Sequence, residues 1–176
     1  MPITIIVEDG SNVPDANSYV DVADAIAYAA NRGITLPPGD ETAAMLMQAM
    51  DYIETKACDF QGKPTYTDPA QSLAWPRTGV ILNCVAFPPD KIPKNLIAAQ
   101  VQLAIAVNAG IPIMPNATPQ DYVVEETVGP ITTKYADPSK IGIGMLSPIL
   151  TAVDALLSNL FATCETSAIS LRTVRV

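Results

Sequence analysis

The chain has 176 residues, of which 49% are apolar and only 16% charged, with a net charge of −8 and no histidine. Length and apolar content suffice for one domain with a real core, or one domain plus extensions. The missing imidazole removes the usual general base, the commonest zinc ligand and the physiological-pH switch, and the acid excess argues against a module that grips phosphates by counterion release.

The charged fraction falls well below the roughly 25% usual for soluble proteins. Pro, Thr, Ala, Asn and Ser stand in for charge. Such a surface is poorly defended against sticking to other protein and suits a subunit that lives in contacts; a Pro-rich, loop-heavy globular protein fits the same composition. Its ten Lys and Arg are scattered from Arg32 to Arg175 without a basic run. DNA could pass such an acidic surface without being captured. Met1 to Gly10 carries Glu8 and Asp9 and no basic n-region, so it does not read as a signal peptide. No apolar run reaches the ~18 residues of a membrane span. Cys58, Cys84 and Cys164 lack CxxC spacing, which fits a reduced, cytoplasmic, disulfide-free chain.

In chain order, residues 3–7 (ITIIV) read as a short β-branched strand ending in the turn formers Asp9 to Asn12. Asn17 or Ser18 then caps a first helix, with Ser18 and Asp21 in S-x-x-D spacing; it runs to about Asn31 and leaves through Gly33. After Pro37-Pro38-Gly39, a second helix is predicted over Glu41 to Ala57. Its stripe is Ala43, Leu46, Met47, Met50, Ile53 and Ala57. Met45, Met47 and Met50 could form an adaptable packing face, although ordinary core filling explains them as well.

Residues 58–92 hold Pro64, Pro69, Pro76, Pro88 and Pro89 and no helical period. They predict a long ordered loop pinned by Phe60, Trp75 and Phe87. Pro93 opens a third helix, about Lys94 to Ala109, closed by Gly110. Its apolar residues cover more than one face, so it must be buried on most sides. Further on, VVEETV and ITTKY flank Gly129-Pro130 and read as a hairpin over about 122–136, projecting from the helical body. Ser147-Pro148 opens a fourth helix carrying Ile149, Leu150, Val153, Leu156, Leu157 and Leu160. The tail from Thr163 either frays or pairs with another chain by strand addition; the spacing of Ile169, Leu171, Val174 and Val176 suits the second.

No catalytic constellation assembles. Glu125 and Glu126 are adjacent, so on a strand they face opposite ways. Asp51 and Glu54 read as solvated helix surface. Gly62-Lys63 and Gly142-x-Gly144 lack the rest of a phosphate or dinucleotide motif. Ser72, Thr78 and Ser147 have no histidine to activate them, and each Cys reads as a small hydrophobe. The chain is therefore expected to be no enzyme and to need no cofactor or metal.

Six segments in order carry a resemblance: ANSYVDVADAIAYAANRG (16–33), AMDYIETKACDFQGKPT (49–65), SLAWPRTGV (72–80), IPKNLIAAQVQLAIAV (92–107), VGPITTKY (128–135) and ILTAVDALLSNL (149–160). The most specific are the ANSYV start, the F-x-G-K turn and the AWPR-TGV loop. Together they resemble the head–tail connector (adaptor) proteins of tailed bacteriophages, a family also called DnaT-like single-stranded-DNA-binding proteins. The resemblance covers nearly the whole chain; residues 81–91 and the tail are less characteristic.

The resemblance implies a structural subunit of the virion neck, made in the host bacterial cytoplasm and assembled as a ring, commonly of twelve copies. Its partners would be the portal protein, tail-terminator or tail-completion proteins and its own copies, with packaged double-stranded DNA passing unbound and no membrane involved. The expected fold is mainly α: a four-helix bundle-like core over residues 1–162 with the hairpin inserted, then an extended C-terminal arm over 163–176. Trp75, Pro76 and Arg77 are expected to lock the long loop, with Arg77 pairing a carboxylate. In the arm, Ile169, Leu171, Arg172, Val174, Arg175 and Val176 would meet the portal or a neighbouring subunit. The alternative is a single-stranded-DNA-binding module, which needs aromatic stacking and a positive groove; aromatics are only 6% of this acidic chain.

Overall fold

A computed structural model describes residues 2–114, 125–128, 131–134 and 150–161, the two four-residue stretches in backbone only. The centre is a pair of fifteen-residue helices, α2 (Asp40–Glu54) and α3 (Lys94–Asn108). Mid-helix, Gln100 Nε2 donates to the Leu46 carbonyl, and at the end of α3 Asn108 donates to Thr35, just before α2. The two helices therefore run antiparallel. Helix α2 begins with Asp40 and Glu41, whose charges suit the positive end of its dipole. Helix α3 buries two faces. Leu96, Ala99 and Leu103 enter the main core, while Val101 and Ala104 pack with Val20, Ala25 and Leu46.

Helix α1 (Val22–Ala30) starts later than its sequence suggests, because the expected caps are engaged elsewhere. The Asn17 side chain accepts from Ile6 N and donates to the Thr4 carbonyl, and Ser18 Oγ donates to Val20. Asp21 caps instead, its carboxylate accepting from Asp24 N at 2.6 Å. Residues 3–7 are pinned along 17–18 through a single parallel bridge, Val7 to Ser18, and form no strand. At the other end of the chain, α4 (Thr151–Leu157) runs into a 3-10 turn, Ser158–Leu160. The expected Ser147-Pro148 cap and the arm from residue 163 onward lie outside the described residues.

The expected four-helix bundle is not what forms. Helices α1 and α4 have nine and seven residues against fifteen in α2 and α3, too short to complete a bundle along their length. The core is closed instead by chain between helices: Phe60, Leu73, Ala74, Trp75 and Val80 are all buried in the main cluster. Small antiparallel pairs accompany the helices. They are β1 (Lys63–Pro64) with β2 (Arg77–Thr78), β3 (Ile81–Leu82) with β4 (Val85–Ala86), and β5 (Glu125–Val128) with β6 (Ile131–Lys134). In the last pair Val128 faces Ile131, a register consistent with the expected hairpin.

Two features of the 58–92 segment come from backbone geometry. Gly62 has φ +67°, and a Cβ there would overlap the Thr78 carbonyl across the β1–β2 pair. Strain and overlap together make Gly62→Ala destabilising by roughly 2–4 kcal/mol, measurable as a lowered urea midpoint with unchanged slope. Between β3 and β4, Asn83 and Cys84 both have positive φ, 51° and 63°, as a two-residue I′ hairpin turn requires.

Candidate functional site

Two of the three most specific motifs of the sequence, the F-x-G-K turn and the AWPR-TGV loop, meet in space. Arg77 is 6% exposed, and its guanidinium donates to the carbonyls of Gln61 (2.7 Å), Gly62 (3.0 Å), Ala74 (3.2 Å) and Phe60 (3.4 Å). Three of these belong to the F-x-G-K turn, so AWPR holds that turn through its arginine. The partners are carbonyl oxygens, not the carboxylate that was expected. A planar fork with five donors can satisfy such a set, as a lysine cannot. Burial lowers the Arg77 pKa from its ordinary value, and the nearby Tyr19, Cys58 and Glu54 pull it back up.

Trp75 is fully buried, edge-on to Phe60 (5.8 Å between centroids) and to Phe87 (6.3 Å), and Phe60 stacks on Phe161. The bond to the buried Pro76 is cis. The indole Nε1 is buried with no hydrogen-bond partner among the described residues. Among the described residues, packing alone seats this ring.

A chain of buried polar groups ties the same loop to three other elements. Gln100 Nε2 donates to Ser18 Oγ (2.8 Å), and its Oε1 accepts from Tyr19 N (3.0 Å). Tyr19 Oη accepts from Trp75 N (3.0 Å) and lies 3.4 Å from Glu54 Oε1 as its donor. Both Glu54 oxygens accept from Ala74 N at 3.1 Å. Satisfied networks of this kind fix one arrangement of a core. The sequence reading took Gln100 as nothing in particular and Glu54 as solvated surface. The sequence signal for this network is slight: Gln100 is one of two polar residues, with Gln102, inside the apolar stretch of α3.

Burial raises the Glu54 pKa above the ordinary 4.5, although the Ala74 N–H, the Tyr19 hydroxyl and Arg77 oppose it. A raised folded-state pKa means that the fold binds this proton more tightly than the unfolded chain does. Its stabilising contribution is complete below about pH 4.5 and is lost as pH climbs through the folded value. Glu54→Gln should match the parent near pH 4 and melt progressively higher than it toward pH 7. Thermal melts across that range check this; a difference that shrinks with pH contradicts it.

The described part of the surface is poor in what nucleic acid needs. The cations with described side chains are Arg32, Lys56, Lys63, Arg77, Lys91 and Lys94. Arg77 is buried, and Arg32 lies 3.4 Å from the centroid of the Tyr28 ring. Among the described residues no aromatic ring is fully exposed; Tyr28, Tyr52 and Tyr66 are half-buried. Nor do the described residues include a cluster of His, Cys, Asp or Glu suited to a metal, or a helix long and apolar enough to cross a membrane. A groove of about 560 Å³ lies between the β3–β4 hairpin and the start of α3. Leu82, Val85, Phe87 and Ile92 line it, with Lys91 and Lys94 as its charged groups. Arm residues Ile169 to Val176 lie outside the described residues.

A family model described as "Putative DnaT-like ssDNA binding protein" matches residues 3–176. The chain belongs to this family. No curated protein and no solved structure matches it. Membership in the DnaT-like family embraces both motifs that meet at Arg77 and also the arm. It supports the DNA-binding side of the resemblance by name, and none of these matches speaks for the connector side.

Proposed function

We propose that this DnaT-like family member is a non-catalytic assembly subunit that works through contacts with other polypeptides, as a head–tail connector would between portal and tail. The observation that carries this reading is the character of the described surface. It is acidic and its aromatic rings are buried or half-buried, while apolar side chains are offered at the β3–β4 hairpin, where Ile81 is 59% and Val85 67% exposed. Repeated around a channel, an acidic subunit repels DNA rather than holding it. Its place would be the virion neck, with the portal on one side and tail-completion proteins on the other. Averaged density of the particle neck tests it: the chain should fill a ring between portal and tail.

Single-stranded DNA binding is the second reading, and the family description favours it. On this reading Lys134, Lys140, Arg172 and Arg175 in the last third of the chain would supply the positive charge that the described side chains lack. Anisotropy of a labelled thymidine oligonucleotide separates the two. The assembly reading expects no retention at 100 mM salt. Micromolar or tighter binding that weakens steeply with salt, and is lost in Arg172→Ala/Arg175→Ala, establishes the second reading in its place.

A further inference from the structure

Helix α4 runs back along α3, and its course fixes where the rest of the chain departs from the body. Its start, Leu150 to Val153, shares a hollow with Ala106, Ala109 and Ile111 at the end of α3. The internal stretch between Met114 and Leu150 is therefore anchored at that pole. The chain beyond α4 reaches the other one: Asn159 lines the apolar groove together with Lys94 and Asn95, at the start of α3. Fifteen residues of helix separate the two poles by roughly 20 Å. Phe161 is held there, stacked on Phe60 at 5.4 Å and joined to it by an antiparallel bridge. Residues 162–176 set out from the rim of the groove.

We propose that the groove is the seat of the chain's own segment 163–171, laid back on the body before any partner is met. Reach is no obstacle, since the eight residues from Phe161 to Ile169 span up to roughly 27 Å when extended. The chemistry matches as well. Laid out as a strand, Glu165, Ile169 and Leu171 share one face, while Arg172 takes the other. That face carries one acid and two large apolar side chains. The groove offers Leu82, Val85 and Phe87, with Lys91 and Lys94 as its charged lining groups. A short tether also raises the local concentration of the segment into the millimolar range, so weak contacts suffice. The contact is autoinhibitory: a polypeptide that takes the groove must first displace the arm. Only that last step rests on the assembly reading; the docking of the arm requires no partner.

Two native thiols allow a direct test on the purified full-length chain. Cys84 is exposed at the hairpin tip, between the groove residues Asn83 and Val85, and Cys164 lies in the segment itself. In a Cys58→Ser background at low micromolar concentration, a short bismaleimide should join Cys84 to Cys164 within one chain. The product runs as a monomer on a denaturing gel, and mass spectrometry identifies the linked peptides. A tether alone gives some cross-linking, so the rate decides. Ile169→Ser/Leu171→Ser should slow it at least fivefold, as should Val85→Ser on the groove side, while Val174→Ser/Val176→Ser leaves it unchanged. Melting curves confirm that each variant is folded. Links that join two chains, no link at all, a rate indifferent to residues 169 and 171, or equal slowing by the outer valine pair overturns the inference. Since no phage component is present, failure here leaves the neck-density test of the connector reading unaffected.

Discussion

Replacing Arg77 by alanine lowers stability by roughly 3–4 kcal/mol, the largest single polar effect expected in this chain. Four carbonyls converge on the guanidinium, and three of them come from residues 60–62, on a turn whose backbone is close to Thr78. Truncation strips those oxygens of a charged donor where burial limits replacement by water, at about 1–3 kcal/mol for each one left unpaired. Relaxation and partial hydration keep the total below the simple sum. Arg77→Lys should recover less than half, since one ammonium cannot span four divergent acceptors. Urea denaturation reads both; unchanged midpoints would mean that the turn holds without its arginine.

Trp75→Ala should cost about 3–5 kcal/mol, the range for deleting a large buried aromatic and leaving its cavity. The ring bridges Phe60, near the start of the long loop, to Phe87, near its end, so the cavity would open where the segment is drawn together. Trp75→Phe is the informative control. Because the indole N–H has no partner among the described residues, losing it forfeits no hydrogen bond to any of them. The phenylalanine variant should therefore retain most of the stability, limited by the volume it fails to fill. Equal losses in the two variants would show that the N–H has a partner after all.

Much of the fold was legible where local rules act alone. The apolar stripe of 40–54 and the apolar residues on more than one face of 94–108 placed α2 and α3 to within three residues at each end, because apolar surface must be buried. Pro93 and Gly110 bounded α3 through backbone restrictions that no tertiary context changes. The start of α1 was misplaced because Asn17 and Ser18, good caps by type, are drawn into bonds with residues 4–6 and Gln100 that no local rule shows. The Asn83–Cys84 turn escaped notice for want of a glycine, the usual marker of positive φ. Residues 73–80 were read as a loop pinned by aromatics, and they are in part core; alternation and helical period say nothing about a segment that buries side chains without regular structure.

By itself the sequence determined the helix pair, the absence of imidazole chemistry and the acidity of the surface, since these follow from residue type, number and spacing. It also marked F-Q-G-K and A-W-P-R as distinctive. Only the tertiary structure decided that one motif's arginine satisfies the other's carbonyls, that Glu54 belongs to a buried network, and that the helices do not close a four-membered bundle. The physical reason is range. Helical period and turn preference act over a few residues, whereas the partners of Arg77, Tyr19 and Gln100 are separated by up to 82 residues along the chain, and which buried donor meets which acceptor is settled only when the chain packs.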